Sequence, residues 1–597
     1  MRPRRTWLPL VGAALLGLFS ISPMTSSAED QTASSASTAT PIQHLVVIFQ
    51  ENVSFDHYFG TYPEAANTSG PQFKDIGHVV VNNLANTPGA GGVGTLLTNN
   101  PNKDAGGNQI NPRRYDPANV NDILTCDQNH NYDSEQKSFD GGAMDKFVTT
   151  VGTGSGKSPT GQTCNAADVL NYYDGNTVTA LWNYAQQFAM SDNSFDTNFG
   201  PSSPGAINLV SGNTGTAMQP PAPGKPATNV ISDGKGGLSL IGDDQPFYDD
   251  CSTRDSVIMS GKNIGDLLNA KGISWGWFQG GLKATTSFAA ATAVVNPGQP
   301  TSTFIPDEFS GKFATAPASN QGICNAVHPV GITVGGVGQY GYKDDYIPHH
   351  EPFMYYASTA NPHHLSPASL VAIGTDTQTF VGGVPQFNTA NHQYDSSDFD
   401  ALVAAISRGL ISPDHLPAVS FLKAPGYQDG HAAYSDPLDE QQFVVNEINA
   451  LQHTPDWSST AVVIAYDDSD GWYDHAFSGV HNASTTSLDF LTATGQCGAA
   501  NAPRLGGQQG RCGYGPRQPL LVISPFAKEG QVDHTLTDLS SILKFAEGNW
   551  NLGTIDGSFD SIAGSLNGMF DFKDERGDNS KKLFLDPITG QPVRKDS

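Results

Sequence analysis

Short runs of apolar residues punctuate the chain at 45–49, 273–278, 418–422, 461–466 and 520–524. They show little polar alternation, the pattern of strands buried on both faces of a parallel sheet, although periodicity alone does not separate such strands from buried helix. Between them the period changes. Asp436-Pro437 supplies a capping side chain and a first-turn proline, and Phe443, Val444, Ile448 and Leu451 follow at helical spacing. Asp538 stands in the same relation to Leu539, Ile542, Leu543 and Ala546. Strands alternating with helices predict an α/β fold with a mostly parallel sheet. Gly- and Pro-rich stretches around 87–113, 215–250 and 285–335 read as loops shaping a site entrance. With no internal repeat, heptad pattern or obvious linker, residues 41–597 are expected to form one α/β domain with long loop insertions.

The N-terminus reads differently. Arg2, Arg4 and Arg5 precede an apolar run over 8–19 and then small residues ending at Ala28, which predicts an export signal over 1–28. The run is shorter than the roughly 20 residues that a membrane-spanning helix needs, and no later segment is apolar enough to serve. Arg4-Arg5 fits a twin-arginine signal as well as ordinary secretion, so the protein is expected to be periplasmic or secreted. Residues 29–40 are small and polar and read as a disordered leader.

The chain has a formal charge of −27, and loss of the signal, with its arginines and no acids, makes the rest more negative still. Such a surface repels nucleic-acid phosphates and argues against a nucleic-acid partner. Any anionic substrate then needs a locally positive site. Six cysteines in an exported chain suggest up to three disulfides, with neighbour pairing (Cys126 with Cys164, Cys251 with Cys324, Cys497 with Cys512) as the first guess. None sits in zinc-ligand spacing.

Two predicted strands end directly in polar residues: 45–49 runs into Gln50-Glu51-Asn52, and 461–466 into Asp467-Asp468. Open α/β sheets bind ligands at the carboxyl ends of their strands. Glu51, Asn52, Asp467 and Asp468 offer oxygen ligands for a hard cation such as magnesium, calcium or manganese. Taken singly, such acids are ordinarily caps or solvated turn residues, a serine between prolines is a turn residue, and a lone histidine is structural.

Six fragments, in order, change that balance. They are Glu51-Asn52-Val53-Ser54-Phe55-Asp56-His57-Tyr58-Phe59-Gly60, Asp127-Gln128-Asn129-His130-Asn131-Tyr132, Gly200-Pro201-Ser202-Ser203-Pro204, Tyr346-Ile347-Pro348-His349-His350, Gly430-His431, and the stretch from Tyr466-Asp467-Asp468 to Asp474-His475. Together they resemble the bacterial acid phosphatase/phospholipase C superfamily, which is related to alkaline phosphatases and sulfatases. The resemblance implies a three-layer sandwich around a mostly parallel sheet, alkaline-phosphatase-like. It also implies one divalent metal ion held by Glu51, Asn52, Asp467 and Asp468, with Ser202 completing its coordination and acting as nucleophile through a phosphoserine. No second carboxylate/histidine cluster is evident in the sequence.

His130, His349, His350 and His431 match family positions around the bound phosphate, where protonated imidazole would favour activity at mildly acidic pH. His363, His364, His475 and His534 are left as structural, with His475 placed to support the acidic pair from outside. Ser203 is expected to cap a helix starting near Pro204. Gly200-Pro201-Ser202, where phospholipases of the superfamily commonly carry Gly-Pro-Thr, favours an acid phosphatase acting on small phosphomonoesters. A phospholipase C cleaving phosphodiester headgroups is the alternative, and an exported metal- or phosphate-binding protein without catalysis is a third reading.

Overall fold

The predicted strands are the central members of one sheet. The structure, a computed structural model, describes residues 37–77, 80–152, 156–222, 224–283, 326–334, 338–573 and 581–593. The sheet has eight strands: β1 (His44–Gln50), β2 (Ala189–Ser191), β3 (Trp275–Gln279), β4 (Gln393–Asp395), β5 (Val419–Lys423), β6 (Thr460–Tyr466), β7 (Leu520–Ile523) and β8 (Gln531–Asp533). Their order is β4-β3-β5-β1-β6-β7-β2-β8. All pairings are parallel except those of β7 with β6 and β2, so β7 alone is reversed. Every residue of β1, β5 and β6 is buried, which is why their sequences carry no polar alternation.

The expected runs match within two residues. β3 begins at Trp275, and the Ser274 carbonyl just before it accepts from Val419 N of β5 (3.2 Å). β7 ends before Ser524, whose hydroxyl turns to the Thr460 carbonyl (2.8 Å). Three strands were not expected. β2, β4 and β8 have three residues each, too few to make an apolar run, and β4 is Gln-Tyr-Asp.

The helices that matter for the site are α1 (Phe55–Phe59), α2 (Ser202–Ser211), α3 (Ser396–Ser407), α4 (Pro437–Gln452) and α5 (Ser540–Trp550). Asp436 caps α4 as its sequence predicts, accepting from Leu438 N (2.9 Å) and Asp439 N (3.0 Å), with Pro437 in the first turn. Phe443, Val444, Ile448 and Leu451 are its buried face. Asp538 accepts from Ser540 N (3.2 Å) at the start of α5.

The 215–250 stretch is not a plain loop. Ala217–Met218, Val230–Ser232, Leu238–Leu240, Gln245–Pro246 and Ser256–Met259 form a second, five-stranded sheet, built of pieces too short to signal in the sequence. Most of 285–335 lies outside the described residues, as do the expected signal at 1–28 and most of the leader. Ala39 and Thr40, inside the stretch read as leader, hydrogen-bond to Asn549. Cys126–Cys164 and Cys497–Cys512 are disulfides. Cys251 is also disulfide-bonded, and its expected partner Cys324 lies outside the described residues. No helix among the described residues is long and apolar enough to cross a membrane.

Candidate active site

β1 and β6 run side by side with Gln50 opposite Tyr466, so the residues that follow each strand leave the sheet together. Asn52 takes a left-handed backbone (φ 55°), which Asn tolerates better than most residues. This turn lets Asn52 N donate to Asp467 Oδ1 (2.9 Å) and Val53 N to the Asp468 carbonyl (2.9 Å). From the other side comes α2. Gly205 lies so close to the Asp467 carbonyl that a Cβ there would stand 2.1 Å from its oxygen, so only glycine permits the approach. Ser202, the first residue of α2, is thereby set with its Oγ 3.1 Å from Glu51 Oε2, 3.1 Å from Asp468 Oδ2 and 3.4 Å from Asn52 Oδ1. Gly200 (φ 122°) makes the preceding turn, and its N–H donates to Glu135 Oε2 (3.0 Å). Glu135 Oε1 accepts from Ser469 Oγ (2.8 Å), tying the serine loop to the acidic turn.

All of these groups are buried. Burial, with Asp467 alongside, pushes the Glu51 and Asp468 carboxyls well above the ordinary range. The Lys423 ammonium, at the end of β5, pairs with Glu51 Oε1. Asn52 tests whether a cation fits. Its Oδ1 stands 2.7 Å from Glu51 Oε2 and 3.1 Å from Asp467 Oδ1, oxygen facing oxygen, while its amide nitrogen stands 2.9 Å from His431 Nε2. Reversing the amide would give the carboxylates a donor, but it would turn the carbonyl onto His431 Nε2. His431 Nδ1 lies 2.6 Å from the Ala432 carbonyl, and burial lowers the imidazole to about 4, so Nδ1 carries the proton and Nε2 is an acceptor. The unreversed amide suits that histidine and leaves only oxygens converging on one point, the donor set of a hard divalent cation.

The expected histidines surround this point. His350 Nδ1 is 3.0 Å from Glu51 Oε1, and the His349 ring packs edge-on against it with centroids 4.5 Å apart. His130 Nδ1 is 3.0 Å from the Gln128 carbonyl and 3.1 Å from Asp470 Oδ1, and its ring faces His431 at 6.1 Å. The expectation that these imidazoles charge together at mildly acidic pH needs correction. Burial, followed by the neighbouring His349, lowers His350 well below its ordinary value. For His130, burial also works against charge, but Asp468, Asp470 and Asp127 outweigh it and hold the imidazolium.

Other expectations also change. Ser203 does not cap a helix: α2 starts one residue earlier with no side-chain cap, and the Ser203 hydroxyl instead lies 3.1 Å from Tyr355 Oη and 3.5 Å from the His349 carbonyl. His475 does not back the acidic pair. Its Nδ1 meets Asp56 Oδ2 (2.6 Å), in a buried network where Arg517 bridges Asp56 and Asp474. Further carboxylate/histidine groups do exist, contrary to the sequence reading. Asp127, His130, His431 and Asp470 come within 4.8 Å of one another, and so do Glu51, His350 and Asp429. Both adjoin the centre already described.

Lys423, Asp429 and Lys343 were not anticipated. Lys423 directly follows the predicted strand 418–422, just as Gln50 follows 45–49 and Asp467 follows 461–466, so the strand-end rule that found Glu51 and Asp467 would also have found it. Gln279, at the end of β3, obeys the same rule by donating to the Ile347 carbonyl (2.9 Å) and holding the histidine segment in place. Asp429 accepts from His431 N (3.0 Å). Lys343, whose Nζ lies 3.8 Å from the centre of the Tyr434 ring, comes from a hairpin that no local pattern announces.

Comparison with known proteins supports the resemblance. The profile described as "Phosphoesterase family" matches residues 42–553. A non-hemolytic phospholipase C of Burkholderia pseudomallei is 23% identical over 523 residues, covering 86% of this chain and 56% of that protein. A non-hemolytic phospholipase C of Pseudomonas aeruginosa is 28% identical over 204 residues, 31% of this chain and 27% of that protein. Phospholipase C A of Mycobacterium tuberculosis is 21% identical over 540 residues, 89% of this chain and 78% of that protein. The chain thus spans little more than half the length of the Burkholderia protein.

Proposed function

Because the chain belongs to the phosphoesterase family, we propose that it is an exported phosphoric ester hydrolase in which the Ser202 hydroxyl attacks phosphorus. One observation carries this reading: a buried serine at a helix N-terminus stands 3.1 Å from carboxylates delivered by two different strand ends. Glu51, Asn52, Asp467 and Asp468 would hold one divalent ion, which when bound supplies positive charge to the phosphoryl oxygens and to the Ser202 oxygen. The three-layer, alkaline-phosphatase-like arrangement belongs to the same reading. So does export, which the disulfides suit.

The chain's own groups do the rest. Ser202 Oγ forms a bond to phosphorus as the bond to the leaving oxygen breaks, and its proton passes toward the carboxylate oxygens beside it. The departing oxygen needs a proton, and in this reading it comes from His130, whose imidazole nearby carboxylates hold in its charged form. Water then cleaves the phosphoserine. His349 and His350 orient the phosphoryl group, His431 fixes the Asn52 amide through Nε2, and Lys423 and Lys343 add positive charge.

That concentration of charge favours a dianionic phosphomonoester. The names of the relatives support a second reading, a phosphodiester headgroup as in phospholipases C. Relative turnover of an aryl phosphomonoester and of phosphatidylcholine decides between them. Absence of turnover on both, with metal bound, leaves the non-catalytic binding protein. For the ion, dialysis against a chelator is expected to abolish turnover and one equivalent of a divalent cation to restore it. A requirement for two equivalents would contradict a single site.

A further inference from the structure

Between Asp376 and Asp395 the chain carries no Asp, Glu, Lys or Arg, in a protein where 15% of residues are charged. The histidine of this stretch, His392, is buried, which lowers it to about 4 and leaves it neutral at pH 7. Within the stretch Phe380–Val381 pairs antiparallel with Val384–Pro385 as a hairpin, Phe380 opposite Pro385 and Val381 opposite Val384. Gly382 and Gly383 make its two-residue turn with φ 60° and 83°. A Cβ at either glycine would meet nothing within 4 Å, so the turn stands clear of the other described residues. The base is anchored. Buried Gln378 donates from Nε2 to the Ala357 (2.8 Å) and Ser358 (2.9 Å) carbonyls, Gln386 N donates to the Thr379 carbonyl (3.0 Å), and the Phe387 ring packs against Tyr248 with centroids 5.9 Å apart. The tip is open: Phe380 is 53% exposed, Val381 66% and Val384 60%. Neighbouring residues of a strand point to opposite sides, so Phe380 lies on one face of the hairpin and Val381 with Val384 on the other. Both faces are therefore apolar and open to solvent.

We propose that this hairpin is a wedge that enters the surface of a zwitterionic lipid bilayer. A protein partner or a second copy of the chain would cover one face of a two-stranded ribbon, whereas apolar residues on both faces suit a medium that surrounds the tip. Two residues per strand at about 3.3 Å each reach roughly 7 Å, which matches the depth of about 5–10 Å to which surface-bound apolar segments enter the boundary of headgroups and acyl chains. The two strands pair with each other, so much of the backbone polarity that would leave water is already satisfied. The anchored base holds the three side chains in place before contact, so little order has to be imposed on binding. The lack of charge over 377–394 means that no ion is taken out of water. It also selects the lipid, because a protein of formal charge −27 is repelled by an anionic membrane and approaches freely only a surface without net charge.

The test is co-sedimentation of the whole protein with phosphatidylcholine vesicles, carried out with Ser202→Ala so that no lipid is hydrolysed during the measurement. The expected result is saturable binding at about millimolar lipid or below. It should change by less than about twofold between about 0.05 M and 0.5 M salt, because the contact is uncharged. Phe380→Asp on one face and Val381→Asp on the other should each weaken binding by at least about tenfold. Leu410→Asp, at an apolar position outside the hairpin that is 74% exposed, should leave it unchanged. All three positions are exposed, and circular dichroism checks that the variants fold. Absence of binding at about 5 mM lipid, or equal weakening by Leu410→Asp, would overturn the proposal. So would weakening by only one of the two hairpin variants, which points to a partner that covers one face. A dimer in sedimentation velocity that Phe380→Asp dissociates would identify that partner as a second copy. Steep loss of binding with added salt would place the headgroup in the positive reaction centre instead.

Discussion

Ser202 and Ser203 are neighbours in sequence with opposite surroundings. Ser202 Oγ faces the acids of the reaction centre, whereas the Ser203 hydroxyl packs under Tyr355. Ser202→Ala is therefore expected to abolish turnover and any trapped phosphoenzyme while the fold persists. Ser203→Ala should stay active and lose only about 0.5–1.5 kcal/mol of stability, the usual net value of one hydrogen bond. Peptide mapping of labelled phosphate checks both, and label on Ser203 would reverse the assignment. Glu547, which is not among the site residues, offers a stability measurement. Burial, with Asp560 beside it, raises its carboxyl from 4.5 to about 9. The unfolded chain ionises this group near 4.5 and the folded one near 9, so its contribution is fully present below pH 4.5 and is lost as pH rises toward 9. Glu547→Gln should flatten that decline, giving a variant that outlasts the parent in urea at pH 8 and not at pH 4. Equal midpoints at both pH values would show that the pair does not titrate in this range.

At the scale of elements, the reaction centre depends on how closely α2 approaches the end of β6. Gly205→Ala would drive a methyl group into the Asp467 carbonyl, so α2 and Ser202 must move away from the acids. Metal affinity and turnover are expected to fall together, each by more than about tenfold, even where circular dichroism is unchanged. Gly548 in α5 is the control, since a Cβ there meets nothing within 4 Å and the position is exposed. Gly548→Ala should stabilise by about 0.5–1 kcal/mol and leave activity alone. The elements most legible in the sequence were those with strong local signals: β1 and β6 by their unbroken apolar runs, α4 by its capping aspartate and first-turn proline. β2, β4 and β8 escaped because three-residue strands draw their pairing from neighbours and have no period of their own.

The whole molecule sets a long-range condition on the site. A chain with formal charge −27 repels an anionic ester before contact, whatever the local charge at Lys423, Lys343 and His130. Salt shortens that repulsion, with a Debye length falling from about 30 Å at 0.01 M to about 8 Å at 0.15 M. kcat/KM for a phosphomonoester dianion is thus expected to rise severalfold over this range, mainly through KM. A fall with added salt would mean that the positive centre dominates the approach of the substrate.

The sequence by itself determined the strands of the sheet's middle, the acids at their carboxyl ends and the order of six short fragments, because each is written in consecutive residues. From these came the fold class and Glu51, Asn52, Ser202, Asp467 and Asp468 as one group, which the structure brings together within hydrogen-bonding reach. What only the tertiary structure decided is which long-range partners complete that group and which charges they carry. Lys423 meets Glu51 across 372 positions of chain. His130 is held charged and His431 neutral, although both are histidines of the same cluster, because carboxylates face one more directly than the other in a buried space. Spacing along a chain specifies which side chains are present, but burial and the distance between charges set their protonation, and both arise only when remote segments pack together.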